Sequence, residues 1–236
     1  MTDPLLSALH ADLLAHADEN TRQGFHRFFK EEVQGYGVKS AAVGEIAKQY
    51  FDCVRDREKQ EIWDLCETLL ESDYIEDAFI AFDWAYRLRS RYTPEDFDVF
   101  ERWIARYVNN WAKCDTLCNH AVGAFLEKFP VFIDRLKGWT ALGNRWFRRA
   151  ATVSLILPAR RGLFVTDILD IADRLLSDKD DLVQKGYGWM LKEASKRHPA
   201  EIFAYVLAHK REMPRTALRY AIEKMPEEWK RRAMEK

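Results

Sequence analysis

Hydrophobic residues recur along most of this chain at intervals of three and four, and alternation with a period of two is almost absent. After the pair Thr93 and Pro94, for example, Phe97, Phe100 and Ile104 would share one face of a helix. A threonine followed by proline is itself typical of a helix N-terminus. The pattern therefore predicts an all-α protein.

The prolines fall between these helical segments, so we expect helical hairpins of ordinary length. Helices are predicted near residues 4–18, 20–33, 39–52, 56–72, 75–91, 94–109, 111–128, 130–141, 144–157, 163–177, 180–197, 200–211 and 214–224, followed by a short helical tail.

A weak internal repeat accompanies the helices. Arg149 and Ala150 align with Lys185 and Gly186 at a shift of 36 residues. Such a period is typical of HEAT-like helical pairs, which stack into an α-solenoid and place the same helix of each pair along one concave wall. We predict a single HEAT-like domain over residues 1–236 with a concave basic groove. A non-repetitive helical bundle is the alternative.

Composition narrows the class of protein. The 236 residues are 47% hydrophobic and 32% charged, which suffices for a buried core and excludes a disordered or collagen-like chain. No apolar run approaches the roughly 18 residues of a membrane span, and the first residues lack the basic segment of a signal peptide. Four cysteines are too few for a secreted disulfide framework, so we expect reduced thiols and a cytoplasmic protein.

The net charge of −1 hides an asymmetry along the chain. Residues 1–100 contain 11 Lys and Arg against 21 Asp and Glu, a charge of −10, whereas residues 101–236 contain 26 against 17, a charge of +9. A polyanion would therefore be attracted to the second part of the chain. The alternative is that both parts are ordinary solvated surfaces.

One candidate site residue is Asp115. In the helix that begins at Trp111, the apolar stripe runs from Cys114 to Phe125. Trp111 falls at the edge of this stripe, and Asp115, one turn later, lies just outside the same edge. A carboxylate held there can be a working group whose pKa is set by its surroundings. The alternative is a rim salt bridge with Lys113 or with an arginine of a neighbouring helix.

A second candidate is Trp189, which lies off the apolar stripe of its helix. Its neighbours on the same face are Lys185, Gly186, Lys192 and Lys196. An indole among three ammonium groups, beside a glycine that leaves space, favours contact with a partner that is flat and anionic. An aromatic side chain covered by lysine stems is the alternative.

Three arginines form the third candidate. Arg145, Arg148 and Arg149 share a sector of their helix with Thr152, opposite the buried stripe, so their guanidinium groups are expected to cluster away from the core. Planar forked donors suit phosphate oxygens. The alternative is a solvated run of charge.

These residues lie in segments that resemble one known family. The stretches Asn110–Asp115, Arg145–Ala151 and Val183–Glu193 look, in that order, like the signature segments of the AlkD-type DNA alkylation repair glycosylases, and Gly35–Lys39 resembles the turn between their first helices. The similarity spans essentially the whole chain, although only about residues 100–195 are specific.

The resemblance implies an all-α stack of HEAT-like repeats that holds duplex DNA and hydrolyses the N-glycosidic bond of cationic N3- and N7-alkylated purines without flipping the base. It implies that Trp111 and Trp189 pack at the sugar and backbone of the damaged nucleotide, that Asp115 is the catalytic carboxylate, and that Arg149 contacts the DNA backbone. The interval between Arg149 and Trp189 is one residue longer than the family pattern, which leaves open whether Arg148 or Arg149 has this role.

The chemistry can also be argued without the family. Alkylation at these nitrogens places a positive charge on the base, so the glycosidic bond breaks to release a neutral leaving group and no general acid is needed. One carboxylate near C1′ can stabilise the oxocarbenium-like sugar and orient the attacking water. Asp115, Trp111 and Trp189 therefore suffice to excise a cationic base but not an uncharged base such as uracil.

Other chemistries find little support in the sequence. The six histidines are dispersed along the sequence, so we predict no metal site. The sequence contains no glycine-rich loop of the kind that binds phosphate, so we predict no nucleotide cofactor. Lys185, beside Trp189, is better suited to bind phosphate than to form a Schiff base, so we expect a monofunctional enzyme. Lys192 is a further candidate to bind DNA.

A binding module of a different class is the alternative function. HEAT-like scaffolds that grip DNA or a protein partner without cleaving a bond are common, and the fold alone would favour one. Asp115 one turn from Trp111 favours the enzyme, because a polyanion binder gains nothing from a carboxylate in its groove. We expect a monomer whose partner is duplex DNA containing alkylated purines.

Overall fold

The computed structural model describes residues 3–235, apart from the side chain of His26. These residues form helices joined by short connections, and the described range contains no β-strand. The predicted all-α class is therefore confirmed. None of the described helices combines the length and the apolar character needed to cross a bilayer. The α-helices are α1 (Pro4–Ala15), α2 (Glu19–Phe28), α3 (Ser40–Val54), α4 (Lys59–Glu71), α5 (Ile75–Arg87), α6 (Asp96–Tyr107), α7 (Trp111–Thr116), α8 (Gly123–Lys128), α9 (Ile133–Trp139), α10 (Arg145–Val153), α11 (Ile156–Arg160), α12 (Val165–Arg174), α13 (Asp181–Ala194), α14 (Pro199–His209), α15 (Arg215–Ala221) and α16 (Glu227–Met234).

Alternate helices form two packed rows. The first row contains α4, α6, α9 and α12, and surface ion pairs join its successive members: Arg102 of α6 donates to Glu67 of α4 at 3.0 Å, and Lys137 of α9 lies 2.8 Å from Asp167 of α12. Exposed pairs of this kind contribute little to stability. They mark which helices are neighbours.

The second row contains α3, α5, α7 with α8, α10 with α11, α13 and α15. Consecutive members pack directly against each other, and α5, α10 and α13 also pack against helices of the first row. Buried hydrophobic side chains from Leu6 to Ala233 form one connected core between the rows. The single domain over residues 1–236 and the HEAT-like character of each helical pair stay predictions.

Two long predicted helices are interrupted. The segment predicted at 144–157 divides into α10 and α11 around Leu155, because Pro158 has no N–H to donate to the carbonyl of Ser154. The segment predicted at 111–128 contains a π-helical stretch, Leu117–Val122, between α7 and α8. Where this stretch ends, Gly123 lets α8 approach α10, since a Cβ there would lie 3.0 Å from the carbonyl oxygen of Ser154.

A close contact between α10 and α13 depends on Gly186. A Cβ at this position would lie 2.5 Å from Oγ1 of Thr152, whose hydroxyl donates to the carbonyl of Arg149 at 2.7 Å. The expectation that Gly186 leaves open space beside Trp189 is therefore wrong. The space is filled by α10, and the glycine sets the distance between the two helices.

We expect Gly186→Ala to destabilise the protein by about 1–3 kcal/mol, because the added methyl group must displace α10 or rotate Thr152. Urea unfolding followed by circular dichroism measures the change. Gly44→Ala is the matched control: Gly44 also lies within a helix, and nothing lies within 4 Å of its Cβ position, so alanine should raise the stability there. Equal effects at both sites would contradict the close approach.

Candidate active site

A cavity of about 480 Å³ opens between α7, α10, α13 and α15 of the second row. The cavity brings together the predicted catalytic residues Asp115, Trp111 and Trp189. Of the residues predicted to bind DNA, Arg148 does not line it. The lining residues are Phe28, Lys30, Glu31, Trp111, Asp115, Arg145, Arg149, Asp181, Leu182, Lys185, Trp189, Lys192 and Tyr220.

Asp115 and Arg149 form a bidentate ion pair in this cavity. Nε of Arg149 donates to Oδ1 of Asp115 at 2.8 Å and Nη2 donates to Oδ2 at 2.7 Å. Nη1 of Arg149 also donates to the carbonyl of Leu182 at the start of α13. The Arg149 side chain is 6% exposed and that of Asp115 is 14% exposed. The pair therefore ties α7, α10 and α13 together in the wall of the cavity.

Two effects act on the pKa of Asp115. Burial raises it above the ordinary value, because the anion loses its hydration. The positive charge and hydrogen bonds of Arg149 act in the opposite direction. The guanidinium thus favours the ionised carboxylate in a place where burial disfavours it.

Polar caps fix where the three site helices begin. The side-chain oxygen of Asn110 accepts from N–H of Lys113 at 3.0 Å, that of Asn144 accepts from N–H of Trp146 at 2.9 Å, and that of Asp180 accepts from N–H of Leu182 at 2.9 Å. Each cap satisfies an N–H that lacks a partner in its first turn. The first turns of α7, α10 and α13 all contribute to the cavity.

The segment after α2 covers one side of the cavity and was missed in the sequence. The ring of Phe29 stacks on that of Trp111 at 5.3 Å between centroids, and Glu31 lies 3.8 Å from Arg145. Phe28 is 73% exposed at the cavity edge, beside Lys30. The adjacent phenylalanines followed by charged residues were a weak signal, since nothing local indicates a partner some eighty residues away.

Glu76 of α5 holds this segment in place. Its carboxylate accepts hydrogen bonds from the backbone N–H groups of Tyr36, Gly37 and Val38 at 3.1, 2.8 and 3.0 Å. Gly37 has a φ of +87°, which favours glycine. The turn of Gly35–Lys39 is therefore fastened to α5 by a buried charge, and it positions the segment that packs on Trp111.

Comparison with known proteins identifies the family. The model of the DNA alkylation repair enzyme family matches residues 9–225. The chain belongs to this family. The resemblance seen in the sequence is thus confirmed, and no curated protein sequence matches the chain.

Two solved structures share the fold of this family member. A predicted DNA alkylation repair enzyme from Enterococcus faecalis is 15% identical, with a TM-score of 0.79 over 90% of this chain and 98% of that one. The alkylpurine DNA glycosylase AlkC of Pseudomonas fluorescens, bound to DNA containing an abasic site analog, is 14% identical, with a TM-score of 0.52 over 97% of this chain and 64% of that one. At these identities the likeness concerns the fold.

The three lysines expected around Trp189 do not form one ammonium cluster. Lys185 lies 2.7 Å from Asp181, and Lys192 donates to Glu223 at 3.0 Å, both at the cavity. Lys196 pairs with Glu193 and does not line the cavity. Each of these three lysines therefore has a carboxylate partner.

The expected outward cluster of arginines is also wrong. Arg149 is buried and binds Asp115. Thr152 is also buried, between α10 and α13. Arg145 donates to Asp180 at 3.1 Å, and Arg148 donates to Asp178 at 2.8 Å. Three guanidinium groups bind three different carboxylates, and Arg149 is the one that meets Asp115. Within residues 3–235, no three His, Cys, Asp or Glu side chains form a group suited to a metal ion.

We expect Arg149→Met to lower the free energy of unfolding by about 3–5 kcal/mol near neutral pH, because it leaves Asp115 buried without a partner. The pKa of Asp115 then rises further above its unfolded value of about 3.9. A carboxyl with a raised pKa binds more protons when folded, so the stability of this variant should fall as the pH rises from about 4 through the raised pKa.

Urea unfolding between about pH 4 and pH 8 measures this dependence. In the double variant with Asp115→Asn the extra slope should disappear. Arg22→Met is the control, since its partner Glu19 is exposed and stays hydrated when the arginine is removed. An Arg149→Met profile parallel to that of the wild type would show that the charge of Asp115 does not depend on Arg149.

Proposed function

We propose that this protein is a DNA glycosylase that hydrolyses the N-glycosidic bond of cationic N3- and N7-alkylated purines in duplex DNA. Asp115 stabilises the oxocarbenium-like sugar and orients the water that attacks C1′. The observation that carries the proposal is the placement of an Arg149-bound carboxylate in one cavity with Trp111 and Trp189. The family to which the chain belongs supports an alkylation repair role.

Arg149 is foremost a positioning residue in this scheme. Three of its five N–H groups bind Asp115 and Leu182, and two are left for a phosphate oxygen. Its predicted contact with the DNA backbone is thus limited to these two donors. Holding Asp115 ionised and fixed in orientation is the larger contribution.

The remaining cavity residues suit a damaged nucleotide. Trp111 and Trp189 offer aromatic faces, which attract a cation by about 0.5–2 kcal/mol depending on exposure. The lining contains five Lys and Arg against three Asp and Glu, so it carries a net positive charge. Arg145, Lys185 and Lys192 are the cations we assign to backbone phosphates, and Arg148 supports the rim from outside the cavity.

Further features of the scheme come from the family resemblance. We propose that the lesion reacts without being swung into a base pocket, and that the enzyme is monofunctional and uses no cofactor. We also propose that it acts as a cytoplasmic monomer built as one domain over residues 1–236. A monomer suits a protein that wraps around duplex DNA.

Asp115→Asn should reduce the release of 7-methylguanine from alkylated duplex DNA by about 10²-fold or more, because it removes the negative charge at the reacting sugar. Single-turnover excision measures the rate. Asp96→Asn makes the same change at a carboxylate that is 5% exposed and paired with Lys59 in the first row, so it controls for the loss of a buried charge.

If the wild-type protein binds this DNA in a salt-dependent manner and releases no base, the non-catalytic binding module replaces the glycosylase. If Asp96→Asn slows excision as much as Asp115→Asn does, the effect is one of folding. Both variants are therefore checked for stability first.

Excision should require a cationic base. We expect release of 3-methyladenine or 7-methylguanine and no release of uracil, because Asp115 offers no proton to an uncharged leaving group. Trp189→Ala should slow excision of the cationic bases, since one aromatic face is lost. Chromatography of the released bases measures both. Release of uracil at a comparable rate would contradict the proposed chemistry.

A further inference from the structure

A second cavity, of about 540 Å³, lies in the same row of helices. It is bounded by the end of α5 and the short 3₁₀ turn Leu88–Arg91 on one side, by the π-helical stretch and α8 in the middle, and by α11 on the other. Four Lys and Arg and one Glu line it. Its lining residues are Tyr86, Arg87, Arg89, Ser90, Asn119, His120, Ala124, Glu127, Lys128, Leu157 and Arg161, and none of them lines the first cavity.

Two of its cations are neutralised locally. Arg87 donates to Asp83 and Arg161 donates to Glu127. The other two, Arg89 and Lys128, make no salt bridge with any carboxylate in the described part of the chain, and both are exposed. The cavity therefore holds two uncompensated positive charges, the condition under which a bound anion is favoured.

The contacts of these two cations leave donors free. The guanidinium of Arg89 lies 4.5 Å from the centre of the Tyr86 ring and donates one hydrogen bond, to the Tyr86 carbonyl at 3.2 Å. Nζ of Lys128 donates to the carbonyls of Ser90 and Tyr92 at 3.1 and 2.8 Å. The Tyr86 ring and these carbonyls hold the cations at the cavity without cancelling their charge.

An orphaned polar group points to a ligand independently. Oδ1 of Asn119 is buried and has no hydrogen-bond partner among residues 3–235, although Asn119 lines the cavity. Buried amide groups are normally satisfied. The Nδ2 group of Asn119 is not buried in this way and donates no hydrogen bond within the described residues, so its N–H groups are available to an anion in the cavity that Arg89 also lines.

The distance to the first cavity fits a duplex. Asp115 and Lys128 are 13 residues apart on nearly continuous helix, which corresponds to about 20 Å. At 3.4 Å per nucleotide along a strand, this is about six nucleotides of backbone. One duplex whose damaged nucleotide occupies the first cavity can reach the second.

We propose that the second cavity is a backbone site for the same DNA duplex, where Arg89, Lys128 and Asn119 bind a phosphodiester about 20 Å from the reacting sugar. The site rests on the proposed function for its ligand, and it contributes to affinity and register on the DNA without touching the reacting atoms.

The test measures binding by fluorescence anisotropy with duplexes that carry an uncleavable abasic site analog. A panel of these duplexes has a single neutral methylphosphonate in place of one phosphate, moved position by position along either strand. With Arg89→Gln, affinity for the unmodified duplex should fall severalfold and the slope of log K against log salt should lessen by about 1. Arg89→Lys, which keeps the charge, should recover part of the affinity.

A double-mutant cycle, which combines the Arg89→Gln substitution with each methylphosphonate substitution in the DNA, locates the contact. At one or two phosphates distant from the lesion, the methylphosphonate should weaken binding of the wild type and leave binding of Arg89→Gln unaffected. Arg106→Gln is the matched control, because Arg106 also lies over a tyrosine ring, that of Tyr107 at 5.1 Å, on α6 of the first row. It should respond to every position as the wild type does.

Two results would overturn the site. The first is that Arg89→Gln binds the unmodified duplex as tightly as the wild type does. The second is that each methylphosphonate weakens binding of Arg89→Gln as much as it weakens binding of the wild type. The proposed function is tested separately by base release. A protein that shows the Arg89 cycle and releases no base keeps the backbone site and loses the glycosylase, and a protein with normal excision and no cycle loses the backbone site alone.

Discussion

The contact between Asp115 and Arg149 is the interaction on which the first cavity depends. It joins three helices of the second row, since Arg149 of α10 holds Asp115 of α7 with two nitrogens and the start of α13 with a third. Buried ion pairs are costly to desolvate, and a pair of apolar side chains would often be as stable. A role in stability alone therefore explains the pair poorly. Its benefit is that the positive charge of Arg149 favours the ionised form of a carboxylate that burial would otherwise favour protonated.

Repetition explains how the cavity arises. The caps Asn110, Asn144 and Asp180 stand 34 and 36 residues apart, so three successive pairs of helices start their second helix at the same level. The residue that follows each cap, or that lies a turn or two after it, then faces the same space. The scaffold supplies the alignment, and a few side chains at equivalent positions supply the chemistry.

The sequence predicted which residues line the first cavity better than it predicted their hydrogen-bond and packing partners. Helical spacing is local, so the edge positions of Trp111, Asp115 and Trp189 followed from it. Whether Arg148 or Arg149 enters the cavity did not follow, because adjacent residues differ by 100° and the outcome depends on where α10 lies against α7. Gly186 was assigned the wrong role for the same reason, since only the packed neighbour shows what a glycine is next to.

Other features had weaker signals. Pro158 was visible in the sequence and does end the regular hydrogen bonding of α10, so the break near Leu155 could have been anticipated. The stacking of Phe29 on Trp111 could not have been anticipated. It depends on hydrogen bonds from the turn at Gly37 to Glu76, about forty residues later in the chain. Contacts set by a buried charge and a distant turn leave no periodic trace.

The side-chain contacts between successive helical pairs have a consequence for folding kinetics. Arg102 with Glu67, Arg149 with Asp115 and Arg161 with Glu127 are separated by 35, 34 and 34 residues, so each closes a loop of similar, modest length. A chain knit together this way has low contact order, and a nucleus of two adjacent pairs can form anywhere and grow toward both ends.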